Sequence, residues 1–407
     1  MAFIQPFRAL RPTAGNAAAV SSVPYDVVST DEARDLAAGN PLSFLHVTRS
    51  EIDLPASVDP YSPQVYAKAR QNLASIREQA PLALEERPAL YCYRLRMGSH
   101  EQTGIAGCFS VDEYERDVIK KHERTRPDKE DDRTRHISEL RAQTGVVFLT
   151  YRGSAAVDGV VGRVMSGTPL YDFTAPDGVH HTVWAAGDRE TRALVEAFAG
   201  IPALYIADGH HRAASAARAR AELTKQPDGD AHGADTFIAV AFPDNQMQVL
   251  PYNRTVRDLA GRTPEQFLGA LRERFTVTDG QPAPPRKGVV SMYLAGRWYA
   301  IDLKGAEAED DTPASRLDVA LLQRNVLEQL LSIGDVRSDK RIDFVGGARG
   351  PAALVQAVDS GKAAVAFSMF PVTVDDLMIV SDAGGIMPPK STWFEPKLRD
   401  GLLVHLI

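Results

Sequence analysis

Apolar residues recur along the chain at two spacings, every third or fourth position in some stretches and in short unbroken runs in others. The change of spacing marks the elements. Val65, Ala69, Leu73 and Ile76 share one face of a helix expected over 63–79. Ser29, with Glu32 three residues on, forms a capping box, so a helix is expected over 31–38, stopped by Gly39 and by Pro41 beyond it. Strands are expected over 90–95 and 103–111 as hairpin partners, and over 146–151, 182–185 and 203–207. Helices are expected over 190–199 and, rich in alanine, from the 203–207 strand to about 224. The stretch 113–141 is charged and helical in character, with Pro127 dividing it so that a loop enters a helix near Asp128. A surface loop over 225–235 is followed by 237–242 and 247–252, which read as a hairpin. Beyond these come a helix from about 262, a strand pair within 289–301, a helix over 317–331, a buried strand over 363–369 and a short helix opening at Pro371.

Strands and helices follow one another without strict alternation, which points to an α+β class. A chain of 407 residues suits two packed units. The expected division is 1–257 as a catalytic core and 258–407 as a C-terminal α+β domain whose tail packs back toward the site.

Composition narrows the classes. With 44% hydrophobic and 24% charged residues the chain is too apolar for disorder, and no apolar run approaches the roughly 18–20 residues that span a bilayer. The N-terminal stretch lacks a basic segment followed by a continuous apolar one, so a cytoplasmic location is expected. Cys92 and Cys108 form neither a disulfide framework nor a metal-ligand spacing. A net charge of −7 argues against a duplex nucleic-acid partner.

The segment richest in chemistry is Asp208-Gly209-His210-His211-Arg212, set between an apolar strand and a helix that begins with small residues. Free N–H groups at such a helix start, at the positive end of the dipole, bind phosphate, and Gly209 admits close approach. His210, His211 and Arg212 add donors and charge, and Asp208 suits a magnesium ion or a proton from a hydroxyl. The plain alternative is a solvated turn whose aspartate caps the helix. A zinc site on the two histidines is disfavoured, because neighbours on one turn diverge and no third ligand stands near.

A second segment, 119–133, carries six basic and five acidic side chains besides His122. Its plain reading is a solvated face laced with opposite charges. Its functional reading turns His122, Glu123, Thr125, Lys129 and Arg133 toward one ligand, with Glu123 as general base and Lys129 and Arg133 neutralising phosphate. Asp26, Asn40 and His46 sit in loop contexts and read as turn residues. The stretch 387–399 is broken by proline yet carries Trp393, Phe394, Lys390 and Lys397, and is expected to pack on the body of the protein. No Walker glycine loop, no G-x-G-x-x-G after a strand and no nucleophile elbow is present.

On Pro24-Tyr25-Asp26, Asn40-Pro41-Leu42-Ser43-Phe44, Lys121-His122-Glu123-Arg124-Thr125, Ala207 to Arg212 and Pro388 to Lys397, the chain resembles the family named domain of unknown function 1015. Its Asp-Gly-His-His-Arg stretch is also similar to that of free serine kinases of the ParB/sulfiredoxin-like fold, a likeness confined to this motif and its strand-helix setting. The resemblance implies a ParB/sulfiredoxin-like nucleotide-binding core with an additional α/β C-terminal unit. It implies a kinase that uses ATP, or ADP, with Mg2+ to phosphorylate free L-serine or a similar hydroxylated metabolite. Carried over, Gly209, His210, His211 and Arg212 contact phosphates, and Asp208 stands at the magnesium or the reacting hydroxyl. In those kinases the base is a glutamate outside the motif and the elements come in another order. Glu123 takes that role here on its own chemistry. The alternative is a ParB-like regulatory protein that binds or hydrolyses nucleotide without kinase activity. Expected partners are a nucleotide and a small hydroxylated metabolite, with a homodimer allowed for and neither nucleic acid nor membrane.

Overall fold

A computed structural model describes residues 2–79, 82–225, 233–308 and 311–407. The chain divides into two units, residues 1–247 with 396–407, and residues 248–395. The expected division at 257/258 falls inside the second unit, because residues 252–256 form an interior strand of that unit's sheet.

The first unit is built on a nine-stranded mixed sheet. Its strands are β1 (Ile4–Gln5), β2 (Tyr91–Met97), β3 (His100–Ser110), β4 (Ile119–Lys120), β5 (Val147–Tyr151), β6 (Tyr171–Thr174), β7 (His180–Ala185), β8 (Leu204–Asp208) and β9 (Thr236–Pro243). They lie in the order β4-β8-β5-β9-β3-β2-β7-β6, with β1 added on β3. Most neighbours are antiparallel, but β8 runs parallel to β4, and β9 parallel to β5. All eight residues of β9 are buried, as an unbroken apolar run flanked on both edges requires. The hairpin expected between 237–242 and 247–252 is therefore not formed. β3 and β5 already occupy both edges of β9, and residues 248–250 pair instead with 393–395 in the second unit.

The longer helices of this unit are α1 (Thr30–Ala37), α2 (Pro63–Gln79), α3 (Pro127–Leu140), α4 (Ala155–Met165), α5 (Asp188–Phe198) and α6 (His210–Leu223). Both halves of the Ser29–Glu32 capping box form at the start of α1. α3 begins at Pro127 itself, where a missing N–H is harmless. α2 buries Val65, Ala69, Leu73 and Ile76, the face read from its sequence. Of the loop expected over 225–235, residues 226–232 lie outside the described residues.

The final segment, 396–407, belongs to this first unit. Gly401 holds φ +87°, and a Cβ there would meet Phe44 Cγ at 2.7 Å. Gly401→Ala is expected to cost about 3 kcal/mol, the sum of a left-handed backbone and an overpacked core. A lowered urea midpoint of the first unit checks this.

The second unit holds an antiparallel sheet of β10 (Tyr252–Val256), β11 (Thr276–Asp279), β12 (Val289–Leu294), β13 (Arg297–Asp302), β14 (Ile342–Gly346) and β15 (Val365–Ser368), ordered β11-β13-β12-β15-β10-β14. The expected 317–331 helix forms as an α-helical stretch, Asp318–Leu322, that widens into a π-helix over Gln323–Glu328. No helix among the described residues is long and apolar enough to cross a membrane.

Candidate active site at the start of helix α6

Strand β8 ends at Asp208, the chain turns at Gly209, and α6 begins at His210. Gly209 takes φ +94° and ψ +30°, a conformation costly for any side chain, and its missing Cβ would sit 3.4 Å from Val147 Cα. Gly209, at the N-cap, has no side chain to cap the helix, and the Arg212 N–H turns back to the Gly209 carbonyl at 2.9 Å, which leaves the His210 and His211 N–H groups as the ones without an intrahelical acceptor.

Asp208 Oδ2 accepts a hydrogen bond from Lys397 Nζ at 2.9 Å. Burial acts to raise its pKa, but Lys397 and then Arg212 outweigh that and hold it well below the usual carboxylate range. Asp208 is thus a fixed negative charge rather than a ready proton acceptor.

Two histidines stand against this turn. The His122 and His210 rings meet edge to face with centroids 4.4 Å apart, and the His122 backbone N–H points at His210 Nε2 from 3.4 Å. Burial lowers the His122 pKa to about 4, against the opposing pull of Asp208, so the ring is neutral near pH 7. Burial likewise holds His210 well below its ordinary value, with His122 adding to the effect. His122 Nδ1 is buried without a hydrogen-bond partner among the described residues. Glu123 Oε2 lies 3.8 Å from His210 Nδ1, and the Glu123 side chain is half exposed. His211 Nε2 accepts the Arg126 backbone N–H at 3.0 Å, tying the charged segment to the helix start.

Arg212 turns inward. Its Nη2 donates to both carboxylate oxygens of Asp26 at 2.7 Å, and its Nη1 to the Val146 carbonyl at 2.7 Å. Arg212 and Arg133 both lie on the Tyr25 ring, at 5.9 and 4.2 Å from its centroid. A cavity of about 30 Å3, room for one water, is walled in part by Tyr25, Arg133, Gly145 and Arg212. Arg212 Nε is buried without a hydrogen-bond partner among the described residues.

Asp208, Gly209, His210, His211, His122 and Glu123 are thus brought to one place, with Arg212 and Arg133 behind them on Tyr25. Two other expected residues are engaged elsewhere. Thr125 donates its hydroxyl hydrogen to Glu130, and Lys129 Nζ donates to Tyr61 Oη at 2.9 Å. Lys397, Asp26 and Asp400 complete the cluster and were not among the expected site residues. Lys397 and Asp26 sit within stretches that sequence reading singled out, but nothing there joins Asp208 to a lysine 189 positions away. Asp400, 1% exposed, bears no mark in the sequence at all.

Burial raises the Asp400 pKa to about 7, and the nearby Arg212 only partly offsets it. The folded state therefore holds this proton more tightly than the unfolded chain, whose aspartates titrate near 4. Stability from this group is full below about pH 4 and is lost as pH rises through about 7. Asp400→Asn is expected to raise stability at pH 8 by on the order of 2 kcal/mol and to change little at pH 4. Urea midpoints of the two proteins at both pH values check the sign.

Among the described residues, no group of three or more His, Cys, Asp or Glu side chains gathers to hold a metal ion. The groups on offer are a helix start behind a glycine turn, a fixed carboxylate paired with lysine, neutral histidines and a half-exposed glutamate.

Comparison with curated proteins finds no match. Among solved structures, the chain is similar to SbnI with C-terminal truncation from Staphylococcus aureus at 12% identity and TM-score 0.39, covering 74% of this chain and 87% of that one. A conserved hypothetical protein from Pyrococcus furiosus matches at 14% identity and TM-score 0.36, over 74% of this chain and 95% of that one. A free serine kinase in complex with AMP matches at 13% identity and TM-score 0.38, over 73% of this chain and 91% of that one. The sequence profile described as protein of unknown function (DUF1015) matches residues 4–320, and the chain belongs to that family.

Proposed function

We propose that the chain is a phosphotransferase that moves the γ-phosphoryl group of ATP to the hydroxyl of free L-serine or a similar small metabolite. In this reading the first unit serves as a nucleotide-binding core of the ParB/sulfiredoxin-like kind. The observation that carries the proposal is the Asp208–Lys397 pair, 2.9 Å apart, beside the uncapped start of α6. A helix start with no capping side chain favours a negative ligand, and Gly209 lets phosphate oxygens approach the backbone.

The acceptor hydroxyl oxygen attacks phosphorus, the bond from phosphorus to the bridging oxygen breaks, and ADP leaves with that electron pair. The hydroxyl proton passes to Glu123, because Asp208 is held too firmly ionised to take it. Lys397 and the helix N–H groups meet the charge gathering on the phosphoryl oxygens, the principal demand of this reaction. His122 and His210, neutral, donate or accept without adding charge. The residues present offer no metal cage of their own, yet Mg2+ commonly takes one carboxylate beside substrate phosphates and keeps its waters. Asp208 fits that single role, and the ion when bound neutralises phosphate charge.

Incubation of the full chain with ATP, Mg2+ and a panel of free hydroxylated amino acids and sugars tests the reading by mass spectrometry. Equal amounts of ADP and one phosphorylated acceptor are expected. Nucleotide hydrolysis without any phosphorylated acceptor would instead favour a regulatory nucleotide-binding protein.

A further inference from the structure

Arg254 stands on β10 of the second unit and is 3% exposed. Its Nη1 donates to the Tyr252 carbonyl and its Nη2 to the Lys390 carbonyl at 3.0 Å, and its carbon lies 5.4 Å from the Phe344 ring centroid. Among the described residues no carboxylate pairs with it. Carbonyl oxygens satisfy its N–H groups but do not neutralise its charge. Arginine does not escape by losing its proton, so the cost of a buried unpaired cation persists until an anion arrives. Burial pushes the guanidinium down to about 10, which still leaves it charged near pH 7.

The same side chain lines a cavity of about 240 Å3 shared with Gln323, Gly334, Arg337, Pro388 and Pro389. The walls are set. Gln323 Nε2 donates to the Ile333 and Gly334 carbonyls at 2.9 and 3.1 Å, and Ser391 Oγ donates to the Pro388 carbonyl at 2.6 Å. Asp335, the carboxylate on this wall, is turned to the Arg337 backbone N–H at 2.9 Å. Arg337 is exposed at the same cavity.

We propose that this cavity is a binding site for a small oxyanion, a carboxylate or a phosphate, whose charge pairs with Arg254 and which Arg337 draws in. The volume lies below the ~300 Å3 at which pockets for drug-sized ligands begin, which fits a metabolite of few heavy atoms rather than a nucleotide. The proposal does not depend on the phosphotransferase reading, since none of its residues serves that site.

Isothermal titration of the full chain with inorganic phosphate and, separately, with citrate, at ionic strength held constant with chloride, tests it. Saturable one-site binding of at least one of them is expected, weakened at least about tenfold by Arg254→Gln, the loss of one charge-assisted contact. Phosphate alone binding identifies a phosphate site, and citrate alone a carboxylate site. Should Arg254→Gln fail to fold, Arg337→Ala carries the test, with affinity lowered about threefold through lost attraction at the exposed mouth. No saturable binding of either anion overturns the proposal, as does binding that the folded variants leave unchanged.

Discussion

Asp208→Asn is expected to lower phosphoryl transfer by about 10²–10⁴-fold, the range lost when a charged group at a reacting centre is neutralised. Asparagine keeps the shape and one oxygen that can accept from Lys397 Nζ, so the loop between β8 and α6 should hold. What goes is the negative charge that the 2.9 Å contact with Lys397 and the nearby Arg212 maintain. Lys397 is then left without its counter-charge and should swing toward bound phosphate. Nucleotide affinity is therefore expected to stay level or rise while turnover falls. Single-turnover measurement of ADP release, beside titration with a non-hydrolysable nucleotide, separates the two. Turnover equal to that of the unaltered protein would remove Asp208 from the site.

Arg212→Ala is expected to act on folding instead. The guanidinium is 6% exposed and joins Asp26, Val146 and the Tyr25 ring, so its loss strands a carbonyl and a carboxylate and opens a void. Removing one partner of such a buried pair typically costs about 3–5 kcal/mol. For a unit of this size that is a fall of roughly 10 °C in its melting temperature. Calorimetry should show one transition moving and the other fixed, because every partner of Arg212 belongs to the first unit. Arg212→Lys should recover part of the loss at most, since a single ammonium cannot replace the two nitrogens that hold Asp26 and the Val146 carbonyl separately.

The elements most legible in the sequence are those whose signals are local. Ser29 and Glu32 lie within one turn, and the face of α2 repeats inside seventeen residues. The strand, glycine turn and helix around Asp208 were readable for the same reason. Partners were not. An apolar run such as β9 says that it is buried but not between which neighbours, and nearness in sequence does not make 247–252 its partner. Helix α4 escaped because its valines and two glycines favour other states, and only the burial of Val157, Val160, Val161 and Val164 holds it helical. In the site, the motif at 208–212 was legible and its tethers were not. Asp26, Lys397 and Asp400 come from ends of the chain that only the finished fold unites.

The register of the second unit's outermost strands bears on that union. Gln248 lies directly opposite Glu395, so the chain departs from the first unit and comes back within about one strand spacing. While the second unit is folded, residues 248–395 act on the first like a tight turn, and Lys397 reaches Asp208 across a short effective loop. Were the same stretch unravelled, the loop would lengthen by about five doublings, at roughly 0.6 kcal/mol each, or about 3 kcal/mol in all. The inserted unit is thereby an entropic clasp on that ion pair, and a short linker joining 247 to 396 would do the same work.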